Sequence, residues 1–251
     1  MSELRERIIE AHGGRARWSR VERLMATMSL GGGKFLYHLQ PRPLRDVEVG
    51  LEPARCRVTI APFFGEGVQG VFDPQRVWTE SATGEVLSER RAPGPVIRSP
   101  RHWFGWDELD VLFVVGLTAW HALLFPWLLS RSGLADEPLE PLDDGGRRLD
   151  RLDVWLPADL PLPSPRQTVC ADVKGLVQRI DYGPQAYASW IRIGHLMAEH
   201  ESVDGLILPT EQTLYPLMIN QQPWRATRFM WLRFDDLSAA LSEPVQARRP
   251  G

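Results

Sequence analysis

Cysteine is nearly absent from this chain. Its 251 residues include two, Cys56 and Cys170. They lie far apart, each in a strand-like stretch, and neither belongs to a Cys-x-x-Cys spacing. Buried reduced thiols are therefore expected, and no cysteine-built metal site. An excess of positive charge is also lacking. The formal net charge is −3, with acidic and basic residues interspersed, so nucleic acid is not an expected partner. The N-terminus has no apolar signal region, since residues 2–11 are charged and amphipathic. Together with the thiols this points to the cytoplasm. Signatures of common chemistry are missing as well. No Gly-x-Gly-x-x-Gly opens a helix, and Gly31-Gly32-Gly33 lacks the Lys-Ser/Thr of a phosphate loop. There is no Gly-x-Ser-x-Gly elbow. His195 and His200 are not set in a His-Glu-x-x-His zinc motif. No cofactor and no metal are expected.

What the chain does have is one long apolar run, residues 111–129, broken only by His121 and small residues. Leu109, Leu112, Phe113, Gly116, Trp120, Leu123 and Trp127 recur at helical spacing. The opposite face (Val111, Val115, Thr118, Ala119, Ala122) is apolar too. A helix oily all round must be wrapped by protein or by lipid. Its length approaches the roughly 20 residues that cross a bilayer. Against a span stand the mid-run His121, the helix breaker Pro126, and flanks that crowd Asp107, Glu108 and Asp110 at one end. The acids suit the positive end of a helix dipole, and Ser132-Gly133 suit its stop. No stable membrane insertion is expected.

The remainder reads as short strands. Ser2 caps a first helix over residues 3–11 that ends at Gly13-Gly14. Alternation then predicts strands over 24–30, 35–39, 45–49, 55–61, 68–72, 76–81 and 86–91. In these, Arg45, Val47 and Val49 share one face, and Cys56, Val58 and Ile60 another. Residues 92–102 read as a loop. The acidic, proline-containing stretch 134–146 reads as a surface connection. Strands resume over 147–156, 167–171, 176–182, 187–197, 206–217 and 227–234. The order is strands, one oily helix, then strands. We expect a mainly β fold with α: a curved antiparallel sheet, a half-open β-barrel, wrapped around a buried central helix. One domain spans residues 1–242, with a helical plug at about 107–130 and a disordered tail at 243–251.

Several motifs then carry a resemblance. They are Phe72-Asp73-Pro74 with Val77-Trp78, Trp106-Asp107-Glu108-Leu109, Gly116-Leu117-Thr118-Ala119-Trp120, Phe125-Pro126-Trp127-Leu128-Leu129, Gly175 through Tyr182, and Gly205-Leu206-Ile207-Leu208-Pro209-Thr210. From His12 to about Leu217 the chain resembles a bacterial family of soluble proteins with no assigned activity. That family's shape is similar to the half-open β-barrels of the bacterial lipoprotein carriers, the Lol-type fold, which hold acyl chains under a helical lid. The resemblance implies a cavity for a hydrophobic molecule. This chain departs from the family pattern at His121, Phe113-Val114 and Glu211-Gln212, as a member with its own ligand or reaction would.

Ten tryptophans suggest a broad hydrophobic chamber. The candidate catalytic residues are His121 in the helix, His195 on the interior side of its strand with Ile193 and Met197, and Asp107 at the helix entrance beside His102. A desolvated neutral imidazole can move protons, although His121 can equally be a satisfied core histidine and Asp107 a helix cap. Met28, Trp106, Phe113, Trp120, Tyr182, Tyr187 and Ile193 are candidate ligand-binding residues. Arg179 and Asp181 share a face, read as a surface or rim ion pair. The leading expectation is a cofactor-independent enzyme that cyclises, isomerises or dehydrates a polyketide- or terpene-like substrate. The alternative is a non-catalytic carrier or sensor of a lipid-like ligand, and a third reading is a structural module.

Overall fold

The computed structural model describes residues 2–33, 44–98, 105–157, 160–185 and 191–243. The first half of the chain supplies β1 (Val21–Gly31), β2 (Leu44–Glu52), β3 (Arg57–Ala61), β4 (Val68–Asp73), β5 (Arg76–Ser81) and β6 (Val86–Arg91). The second half supplies β7 (Ala135–Asp143), β8 (Arg148–Trp155), β9 (Arg166–Ala171), β10 (Val177–Tyr182), β11 (Ile193–Val203), β12 (Leu206–Pro216) and β13 (Met230–Leu241). All thirteen form one antiparallel sheet, in the order β6-β5-β4-β3-β2-β1-β13-β12-β11-β10-β9-β8-β7. Each half is a meander, and the two are joined where β1 pairs with β13, from Val21↔Leu241 to Gly31↔Trp231. The sheet does not close, since β6 and β7 are its free edges. This is the expected half-open barrel.

The central helix (Glu108–Ser130) lies inside the sheet and links those two edges in sequence. Twenty of its 23 residues are buried, including every position from Leu109 to Pro126. It is long and apolar enough to cross a bilayer, but its apolar length is sunk in protein. Its backbone meets β4 at Gly116, where a Cβ would stand 2.4 Å from Cβ of Phe72. Only glycine permits that approach.

Residues from elsewhere finish both helix ends. Asp107 is the N-cap and forms a capping box with Asp110. Arg90 of β6 grips both carboxylates, at 2.6 Å to Asp107 and 2.5 Å to Asp110. The last turn of the helix has no basic residue of its own. Arg5 of α1 (Glu3–Ala11) serves that end. Nearly fully buried, it donates to the carbonyls of Leu129 (2.8 Å), Arg131 (2.6 Å) and Leu134 (3.2 Å), and pairs with Asp136. Arg15 of α2 (Arg15–Trp18) adds a bond to the carbonyl of Ser130. Cations at the C-terminal carbonyls complement the negative end of the dipole. His12, the C-cap of α1, is also buried and ties it to the sheet. Its Nδ1 donates to the carbonyl of Ile207 (2.7 Å), and its Nε2 accepts the N–H of Val177 (3.1 Å).

Several sequence expectations need correction. Residues 135–143 are not a connection but the edge strand β7. Pro138 and Pro141 belong there because an edge strand has a side that need not donate. Arg45 does not share a face with Val47 and Val49. A bulge between Met28 and Leu30 and the left-handed Asp46 (φ 50°) turn it outward. Cys56 leaves the face of Val58 and Ile60 because it ends a 3-10 turn with φ 52°. Strand β11 begins at Ile193, and β13 runs on to Leu241; the part of the expected strand at 187–190 falls outside the described residues. The expected strand 35–39 and the tail beyond residue 243 fall outside the described residues.

Candidate functional site

Strand alternation decides what faces the central helix. On β10, Ile180 and Tyr182 turn inward, and Ile180 is opposite His195 of β11. His195 is in turn opposite Leu214 of β12. On β9, Gln167 lies inward. These strands aim Gln167, Tyr182, His195 and Gln212 at the stretch of helix that carries His121. All five are buried, with both imidazoles fully so.

The five form a compact polar island. The ring of His121 lies 5.4 Å from that of Tyr182 and 6.1 Å from that of His195, centre to centre. Nε2 of His121 is 2.8 Å from Oε1 of Gln167, whose amide N–H donates to the carbonyl of Ser164 at 2.8 Å. Oε1 is thus the acceptor and Nε2 of His121 carries the proton, which leaves Nδ1 as a bare acceptor. The Tyr182 hydroxyl is 3.5 Å from Nδ1 of His195. With the hydroxyl as donor there, Nε2 of His195 keeps the N–H. Nδ1 of His121 has no hydrogen-bond partner among the described residues; Nε2 of His195 and Oε1 of Gln212 make no well-formed bond, but they face each other as donor and acceptor. Gln212 is placed by Pro126. The proline has no N–H to offer the carbonyl of Ala122, and the Gln212 amide reaches that carbonyl at 3.5 Å.

Burial sets the charge state. Desolvation lowers His121 to about 4, partly opposed by its bond to Gln167. Desolvation, then the neighbouring His121, lowers His195 to about 3, with Gln212 opposing. Both rings are neutral at pH 7. An unpartnered buried polar atom costs roughly 1–3 kcal/mol, so the bare acceptor on His121 and the poorly met donor on His195 call for a partner.

The other sequence candidates lie elsewhere. Asp107 caps the helix fourteen residues before His121, about 21 Å along the axis at 1.5 Å per residue. It is half-exposed and held by Arg90, so the structure does not bring it to the histidines. Met28, Trp106, Phe113, Trp120 and Ile193 belong to the packed core, with Phe113 against Phe72 and Trp120 edge-on to Trp127. Tyr187 and His102 fall outside the described residues. Among the described residues the tryptophans do not gather into one lining. Trp18 and Trp120 are core, while Trp78, Trp127 and Trp155 lie under the guanidiniums of Arg76, Arg131 and Arg166 at 4.5, 5.0 and 5.2 Å. Stacking on arginine is a second use of Trp that composition does not distinguish from lining. Among the described residues no three His, Cys, Asp or Glu side chains converge as a metal site would require.

A cavity of about 830 Å³ lies on the opposite face of the sheet, over β8 to β10. Of the residues singled out as sites from sequence, Tyr182 alone borders it. The Arg179–Asp181 pair beneath is no rim pair. Both are buried, joined by bonds of 2.6 and 2.7 Å, because Asp144 and the carbonyl of Gln221 close over them.

No protein-family model and no curated protein matches the sequence. Solved structures do. A domain described as that of an outer membrane lipoprotein-sorting protein, from Vibrio parahaemolyticus, superposes over 96% of this chain and 93% of its own with a TM-score of 0.50 at 13% identity. A LolA superfamily protein from Nitrosomonas europaea superposes over 94% of this chain and 92% of its own, TM-score 0.50, at 8% identity. The chain therefore has the Lol-type fold.

Proposed function

We propose that the protein is a non-catalytic carrier or sensor of a hydrophobic small molecule. The molecule sits between the central helix and β9 to β12, its polar end in the island of His121, Tyr182 and His195. The observation that carries this reading is the pair of buried ring nitrogens without a well-formed bond, an acceptor on His121 and a donor on His195 that only Gln212 faces among the described residues. A neutral group that both donates and accepts, such as an alcohol, an undissociated acid or an amide, answers both. A charged group is disfavoured where burial already keeps the imidazoles neutral. Among the described residues the sheet does not close between β6 and β7, and in this reading the guest enters on that open side.

Proton-transfer catalysis by the same histidines is the weaker reading. A general base works best with a pKa near the ambient pH, and these rings sit at about 4 and about 3. Native mass spectrometry and solvent extraction of the purified protein test the carrier reading. A stoichiometric hydrophobic molecule should leave with wild type and be depleted in His195→Leu. Recovery of equal ligand from both proteins, or of none from either when the protein is purified from its own cells, would refute the placement.

A further inference from the structure

The face of the sheet turned away from the central helix holds a site that the inner island does not use. Asp153, Thr168 and Asp181 form one row across β8, β9 and β10, in direct register. They floor the cavity of about 830 Å³, a size within the roughly 300–1,000 Å³ of small-molecule sites. The floor is built with care. Gly194 of β11 is opposite Asp181, and a Cβ there would stand 2.7 Å from Cδ2 of Leu217 and 3.4 Å from Asp181. Glycine lets the segment after β12 fold down over the buried Arg179, which holds that segment through the carbonyl of Gln221 at 2.5 Å.

Charge within the cavity is unequally answered. Asp181 takes both bonds from Arg179. Asp153 takes Arg166 at 2.6 Å and the Thr168 hydroxyl. Donors remain in surplus. Arg151 uses Nε on the carbonyl of Glu140 and one Nη on Gln221, which leaves its second Nη. The exposed guanidinium of Arg192 makes no hydrogen bond to another described residue, and like Arg151 it lies near enough to Asp181 to favour its charged form. Beside these cations the lining is apolar, with Leu139, Ile191, Leu217, Met218 and the fully exposed Ile219.

We propose that this outer cavity is a second binding site, for a small organic anion with an apolar body. The carboxylate or phosphate monoester meets Arg151 and Arg192, and the body lies on Ile191, Leu217 and Met218. Carboxylates already held by Arg179 and Arg166, beside two further guanidiniums with donors to spare, favour an anion over a cation. The site differs from the inner island in ligand charge, so it neither needs nor excludes the carrier reading.

Isothermal titration calorimetry on the full chain tests it, with 4-phenylbutyrate and phenethyl phosphate as probes and the uncharged 4-phenylbutyramide as comparison. At least one anion should bind, more weakly as salt rises. The amide should bind roughly tenfold or more weakly, and the double variant Arg151→Gln/Arg192→Gln should lose anion affinity by a similar factor. Arg91→Gln, at an exposed arginine on β6, should match wild type. Circular dichroism checks that the double variant is folded. Failure of both anions to bind at millimolar concentration, equal affinity for acid and amide, or full affinity in the folded double variant each overturns the proposal.

Discussion

Acidification should unfold this protein well before its carboxylates are protonated. Three buried histidines make it so. His12 and His121 are lowered from 6.5 to about 4, and His195 from 6.5 to about 3, with desolvation the largest cause in each. His12 has a further reason to stay neutral, since its Nε2 is an acceptor for Val177. For all three the folded pKa lies below the unfolded one. Their stabilisation is complete above about pH 6.5 and is lost as the pH falls, because the unfolded chain takes up protons that the folded chain refuses. At ~1.4 kcal/mol per pKa unit, His12 and His121 each hold about 3 kcal/mol at neutral pH. Three protons of difference give a slope of about 4 kcal/mol per pH unit between roughly pH 6 and 4.5. Domains of this kind have only about 5–15 kcal/mol in total. Urea denaturation followed by tryptophan fluorescence at several pH values from about 7.5 to 5 measures it. The midpoint should collapse over that range, and His195→Leu should remove about a third of the slope. A stability that changes by less than about 1 kcal/mol between pH 7.5 and 5 would refute the reasoning, because rings that are buried and neutral cannot leave stability flat there.

Other outcomes follow from single contacts. Gly116→Ala should cost about 1–2 kcal/mol by urea denaturation. The crowding against Phe72 outweighs the roughly 1 kcal/mol of helix propensity that alanine adds. Arg5→Met should destabilise by about 3 kcal/mol or more, since it strips the helix end of its donors and leaves Asp136 buried without Arg5. His195→Leu should leave the ligand-free protein as stable as wild type or more so, because it removes a buried N–H that makes no well-formed bond; thermal melting of delipidated protein reads this. In native protein Cys170 should resist a disulfide reagent over hours at neutral pH, since burial pushes its thiol up to about 12. Cys56, half-buried, should react first.

The central helix was legible because hydrophobicity on every face admits few solutions, and Asp107 and Gly133 mark its start and its stop. Strands such as β3 and β5 were legible because alternation survives wherever one face is buried. The sequence concealed what depends on partners far along the chain. Nothing near Arg5 announces that it closes a helix more than 120 residues away. The acidic residues and prolines of β7 resemble a loop because an edge strand is half a loop in its hydrogen bonding. At the site, alternation aimed His195 inward correctly, and periodicity buried His121. Gln167 escaped notice, and Gln212 stood out only as a departure from the family pattern, because a buried amide has no sequence mark until its strand register is known. The outer cavity escaped for the same reason: Arg151, Asp153 and Arg192 read as ordinary outward-facing polar residues.

The seam between β1 and β13 governs the order in which the molecule can assemble. A ribosome delivers β1 early and β13 last of the strands, so the flank of β1 waits for its neighbour while more than two hundred residues are made. During that interval the greasy helix has already emerged, with only half of its eventual wrapping available. A chain built this way invites a chaperone at the stage when β6 and the helix are out and the return meander is not, and a translational pause after residue 130 would be its most hazardous moment.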